Sequence, residues 1–289
     1  MSQLSSEQPL PGIEAHPGSG HYGVFDHGAQ VWAWQPDGAA HPVLWLSSAS
    51  AFEPGKPIRG GIPICFPWFG PGFNRDRTPP HGFVRTVAWR RAKVHETHHA
   101  LHVDYEIDQT VTGDQRFFPA PYQARLSVTF AASHLEVSLP VENHDEEPFT
   151  FEEALHTYLA VSDVRTVTVD GLDGARYLDK VAGDELFDRE QSGALVLNGP
   201  TDRVYMHGDE VSVDDPGFER RLVLSTSGSA NVVVWNPWSD GAATIADIGE
   251  GEWTDFVCVE AANAYADAVT LLPGEHWTMT QRIELERLD

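Results

Sequence analysis

Two cysteines, three lysines and no long apolar run set the first limits on this chain of 289 residues. Cys65 and Cys258 both sit in apolar surroundings, which fits two buried free thiols better than a disulfide framework and points to a reducing, cytoplasmic home. Without a run of about 18 apolar residues, no membrane-spanning helix is expected. The N-terminus lacks the basic start and apolar stretch of a secretory signal. Gly-rich phosphate loops of the P-loop or dinucleotide-binding kind are missing, so no nucleotide cofactor is implied. Positive charge is also short: 19 Lys and Arg stand against 43 Asp and Glu, a net −24. A field of that sign repels a nucleic-acid backbone. A small anion is not excluded, because screening over about 8 Å lets a local pocket of arginines dominate.

One stretch reverses the sign. Lys56 to Lys93 holds eight cations (Lys56, Arg59, Arg75, Arg77, Arg85, Arg90, Arg91, Lys93) and one acid, Asp76, so 8 − 1 gives +7 and the remainder of the chain sums to −31. It is rich in Gly, Pro and aromatics and therefore mostly loop. Cationic loops with aromatic walls suit a small anion that has an apolar face. The plainer alternative is that these arginines only neutralise the acidic surface around them.

Residues 1–20 carry no periodicity and are predicted to be a flexible tail. From residue 21 to 289 the chain alternates apolar and polar residues between turn signals, with almost no 3.6-residue periodicity and no composition break. The expectation is one all-β domain, a large antiparallel β-sandwich with few short helices. QVWAWQ and PVLWLS are predicted to pair as a hairpin. ARLSVTFA and HLEVSLPVEN are predicted strands joined at Ser133, FTFEEALHTYLAV is read as one strand, and a short helix is predicted near GEWTDF.

Four places could carry chemistry. His95-Glu96-Thr97-His98-His99 matches the HExxH zinc pattern, but that motif needs a helix to stack positions i and i+4. The flanks here alternate like strands, and four residues of strand span about 13 Å, too far for one ion, so no metal is expected there. In FTFEEALHTYLAV, period two places His156 with Glu152, Ala154 and Tyr158, opposite the larger apolar residues. It is either a satisfied sheet histidine or one that faces a cavity. Glu260 follows an apolar run in FVCVEAAN, where burying a carboxylate needs a partner or a function. Asp202 and Arg203 in GPTDRVY resemble a solvated turn, and Trp235 and Trp238 in VWNPW could form an aromatic wall for a sugar.

Seven fragments in order, RGGIPICFPWFGP, HGFVR, FEEALHTYLAV, GLDG with RYLDK, TDRVY, VVVWNPW and VCVEAAN, resemble the hexose-6-phosphate mutarotases, the glucose-6-phosphate 1-epimerase branch of the aldose 1-epimerase family. The resemblance covers roughly residues 20–289. It implies a galactose-mutarotase-like sandwich and an isomerase that interconverts the anomers of a small sugar phosphate. Acid–base exchange of that kind needs no cofactor or metal, and the expectation is a monomer with neither nucleic acid nor a membrane as partner. It implies His156 and Glu260 as the catalytic acid and base, facing each other across a sugar-sized gap. Arg59 and Arg85 are implied as phosphate or sugar ligands, Asp202 as a contact to sugar hydroxyls, and His81 as a second histidine near the ring. One position departs from the pattern: the family often has Gln before HGF, where this chain has Pro80. Two alternatives share these residues, a non-catalytic carbohydrate-binding sandwich and a glycosidase pairing Glu152 or Glu153 with Glu260. An aldose 1-epimerase acting on unphosphorylated sugars is a third.

Overall fold

Period-two alternation becomes two large antiparallel sheets in the computed structural model, which describes residues 9–97, 100–183 and 185–288. In the nine-stranded sheet Arg90–Glu96, Ala100–Asp108, Tyr122–Ala131 and His134–Asn143 pair in sequence order, and His276–Arg287 returns beside the last of them. Leu135, Val137, Leu139 and Val141 are buried and the residues between them are partly exposed. A pleated strand sends successive side chains to opposite faces, so this sheet has one core face and one wet face.

The eight-stranded sheet is different. Its central strand, Phe256–Asn263, is buried along its whole length. Val257, Val259 and Ala261 face the main core, which they share with Leu135, Val137 and Leu222 of the other sheet. Phe256, Cys258 and Ala262 face the other way, into two smaller apolar clusters capped by Trp45 and Ile248 in one and by Phe69 in the other. The all-β sandwich expected from the sequence is therefore present, and its second sheet carries a loop-covered outer face. Among the described residues the α-helices are Gln109–Thr112 and Trp238–Ala242, and the helix expected near GEWTDF is a 3-10 turn, Glu252–Thr254. No helix of the described residues is long and apolar enough to cross a membrane.

Several expectations change. The tail is shorter than predicted: Gly12–Ala15 is a strand paired with His21–Phe25, held by Leu10 and Ile13, which are only 6% and 4% exposed. Residues 1–8 lie outside the described residues. Val31–Gln35 pairs with His21–Phe25 and not with residues 43–48, where Leu44 and Leu46 make isolated bridges to Leu159 and Gly60. Val211–Asp215 is a strand that alternates clearly and was not expected. At the HExxH pattern, His95 and Glu96 end a strand, with no helix to stack ligands; His98 and His99 lie outside the described residues.

The segment read as one strand is three. Phe149–Phe151 pairs with Val269–Leu271, while Glu153–Leu155 and Tyr158–Ala160 both pair with Phe256–Asn263. Between the last two the ladder is interrupted, because the His156 N–H donates to Pro63 and the Thr157 N–H to Leu155. The register is the same on either side: Leu155 lies opposite Ala261, and Tyr158 opposite Cys258. His156 therefore falls opposite Glu260.

Glu153 is buried on the core side, where one carboxylate oxygen accepts from Asn263 and the other has no partner. Burial pushes its pKa up to about 8, with the Asn263 bond opposing. A carboxyl raised in the folded state is harmless below the unfolded pKa of about 4.5 and destabilises progressively as pH rises towards 8, by about 3 kcal/mol at pH 7. Glu153→Gln cannot ionise. Its melting temperature is expected to match wild type near pH 5 and exceed it at pH 8; parallel curves across that range would contradict the burial account.

Candidate active site

The outer face of the second sheet gathers the functional side chains by strand register. Asp202 lies opposite Trp235, Trp235 opposite Cys258, and Val233 opposite Glu260. His156 Nδ1 is 3.2 Å from Glu260 Oε1, without the alignment of a hydrogen bond. Both side chains are buried, and His156 Nδ1 and Glu260 Oε2 lack hydrogen-bond partners among the described residues. The two groups thus adjoin; they do not flank a sugar-sized gap as expected. Directly opposed positions on paired strands hold side chains this close.

The imidazole is held from below. Its ring stacks on Tyr158 at 4.8 Å and 7°, and Trp235 meets its edge at 5.9 Å. The Tyr158 hydroxyl accepts from Arg59 Nη1 at 2.8 Å, and Arg59 Nε donates to Asp247 at 3.1 Å. Burial lowers the His156 pKa well below its usual value, and the charges of Arg59, Arg85 and Lys180 lower it further. Burial raises the Glu260 pKa well above the carboxylate range, against the pull of Lys180 and Arg85. Both shifts disfavour charge and so favour a pair that holds one proton and no net charge.

The cationic stretch divides its work. Arg91 pairs with Asp26, Arg90 with Glu106, Lys56 with Glu53 and Arg75 with Glu185, while Arg77 lies over the Trp68 ring. These serve the neutralising role that the plainer reading proposed. Arg59 and Arg85 instead act on the buried pair. Arg85 Nη2 donates to the carbonyl of Pro80 at 2.9 Å, and its buried Nε has no partner among the described residues. Pro80 therefore contributes through its backbone, which needs no side-chain donor.

His81 sits at a left-handed φ of 66°, followed by Gly82, whose added Cβ would collide with the Phe66 carbonyl. The Gly70 N–H donates to His81 Nδ1 at 3.3 Å, with the Cys65 thiol also 3.3 Å from that nitrogen. Nδ1 is thus an acceptor, and a neutral ring carries its proton on Nε2. Burial, followed by Arg85, His156, Lys180 and Arg59, lowers its pKa well below the usual value. The ring centroids of His81 and His156 are 5.7 Å apart.

Asp202 is bonded to Lys180 Nζ at 2.8 Å, and burial raises its pKa while Lys180 opposes the rise. Sequence reasoning singled out Asp202 but passed over Lys180. The available signal was that Lys180, one of only three lysines, ends the fragment RYLDK, whose strand pairs with the strand of Asp202. Trp235 supplies the aromatic wall at His156, whereas Trp238 packs on Trp253. The glycosidase carboxylates are otherwise engaged: Glu152 accepts the N–H groups of Phe69 and Tyr265, and Glu153 bonds Asn263 on the strand's core side.

Comparison with known proteins finds matches along most of the chain. The profile of the family described as aldose 1-epimerase matches residues 15–284. A protein of Cenchrus ciliaris provisionally named glucose-6-phosphate 1-epimerase is 34% identical over 265 residues, 88% of this chain and 78% of its own length. One of Escherichia coli K12 with the same provisional name is 35% identical over 238 residues, 82% of this chain and 78% of its own. The crystal structure of a Salmonella typhimurium protein provisionally called a mutarotase superposes with a TM-score of 0.88 at 26% identity, covering 99% of this chain and 96% of that one.

Proposed function

The chain belongs to the aldose 1-epimerase family, and on that premise we propose that it interconverts the α and β anomers of an aldohexose 6-phosphate, glucose 6-phosphate foremost. The observation that carries this reading is the buried His156–Glu260 pair, 3.2 Å apart, in the field of Arg59, Arg85 and Lys180. The names of the relatives support the phosphorylated substrate. The chain's net −24 supports a small ligand over nucleic acid. The reading takes the chain as a cytoplasmic monomer, in keeping with two buried free thiols.

Opening a hemiacetal requires a proton to leave the C1 hydroxyl and another to reach the ring oxygen. Both oxygens are carried by C1, so two groups one hydrogen-bond length apart can serve both. Glu260 takes the hydroxyl proton and His156 protonates the ring oxygen; after rotation about C1–C2 the roles reverse. This requires a pair that holds one proton, the count that burial favours. A phosphate dianion beside Arg59, Arg85 and Lys180 offsets the charges that depress His156, so substrate binding moves the proton towards the imidazole. Arg59, Arg85 and Lys180 fix the phosphate, Asp202 orients a hydroxyl, and His81 donates to the ring through Nε2.

Comparing sugars by NMR exchange tests the substrate. Glucose 6-phosphate is expected to exceed glucose in kcat/KM by about 10-fold or more, the effect of one charge-assisted contact. Equal values would remove the phosphate from the reading. No step uses a metal, so EDTA is expected to leave the rate undiminished; a loss restored by zinc would contradict the mechanism.

A further inference from the structure

Beside the pair lies a thiol that acid–base exchange does not use. Cys258 precedes Glu260 by two residues on one strand, so their side chains leave the same face. A donor atom from each of His156, Cys258 and Glu260 falls within 4.8 Å of the others. The three residues are 7%, 0% and 1% exposed, and His156 Nδ1 and Glu260 Oε2 have no hydrogen-bond partner among the described residues. Leaving such atoms unpaired in the interior is costly. One imidazole nitrogen, one sulfur and one carboxylate is a donor set that favours a borderline-soft divalent ion over Mg²⁺ or Ca²⁺. Zinc bonds of about 2.0–2.3 Å in a tetrahedron place neighbouring donors roughly 3.3–3.6 Å apart. His156 and Glu260 lie close to that spacing at 3.2 Å, and the thiol, within 4.8 Å of both, has to close by up to about 1.3 Å.

We propose that His156, Cys258 and Glu260 form a binding site for a thiophilic divalent cation, with Zn²⁺ the best fit, and that an ion bound there switches anomer exchange off by occupying the acid and the base. The switching half rests on the function proposed above; the binding half does not. Binding forms a metal–sulfur bond and releases the thiol proton, and the proton shared by the pair, to solvent. No oxidation or reduction is involved.

The test uses Co²⁺ as a spectroscopic probe and Zn²⁺ as inhibitor. A second cluster, Glu14, His16 and His21, could also hold a cation on the surface, so all proteins carry His21→Ala. In this background Co²⁺ is expected to give a thiolate-to-metal absorption band saturating at one equivalent. Zn²⁺ is expected to abolish exchange, and EDTA to restore it. Cys258→Ala and Cys258→Ser are expected to keep basal exchange and the wild-type circular dichroism, to lose the band, and to need about 10- to 100-fold more Zn²⁺ for inhibition. Absence of the band, or equal Zn²⁺ sensitivity with and without the thiol, would overturn the site. If the parent protein shows no anomer exchange, the Co²⁺ band still decides the metal site, and the failure belongs to the functional reading alone.

Discussion

Replacing Glu260 with glutamine is expected to lower kcat for anomer exchange by about 10³-fold and to leave the melting temperature at or above wild type. Glutamine has the shape of the carboxyl but cannot take the C1 hydroxyl proton. The stability half follows from burial, which raises the Glu260 pKa and so already favours its neutral form in the folded protein. A residue needed only for structure would show the reverse, with exchange retained and the fold weakened. NMR exchange spectroscopy and a thermal melt on the same sample separate the two. Wild-type exchange in this variant would reject the assignment.

Arg85→Ala is expected to raise KM for glucose 6-phosphate by about 10- to 100-fold, the loss of a charge-assisted contact, while exchange of free glucose changes little. Among the described residues its guanidinium donates only to the Pro80 carbonyl, and its buried Nε has no partner there. Arg59→Ala is expected to weaken the phosphorylated sugar in the same direction but also to lower kcat for both sugars. Arg59 holds the Tyr158 hydroxyl, and the Tyr158 ring lies 4.8 Å beneath His156. Equal effects of Arg85→Ala on glucose and glucose 6-phosphate would remove Arg85 from phosphate binding.

The sandwich was legible in the sequence wherever one sheet face is wet, because Leu135, Val137, Leu139 and Val141 alternate with partly exposed residues. Phe256–Asn263 was also found, since the apolar run that opens it, Phe256 to Val259, marks a strand buried on both faces. The strand Gly12–Ala15 was missed because its anchors, Leu10 and Ile13, are isolated among Pro, Glu and Gly. The interruption at His156 left no trace, because period two runs through it: the register is unchanged from Leu155 to Tyr158.

His156 and Glu260 were named from the sequence, but their spacing was not. They are 104 residues apart in the chain, and only the pairing of two strands sets them at 3.2 Å. Lys180 escaped because its importance comes from its neighbour across the ladder, Asp202, and not from its own surroundings in sequence. The charge reversal from Lys56 to Lys93 was real, yet most of its cations serve surface acids such as Asp26 and Glu106. Composition alone could not show which two guanidinium groups turn inward.

Magnetisation exchange between the α and β anomers of glucose 6-phosphate, measured by NMR at neutral pH with catalytic amounts of the protein, tests the central claim most directly. The account predicts exchange above the buffer rate, proportional to protein concentration and lost with Glu260→Gln. An exchange rate equal to that in buffer alone would contradict it.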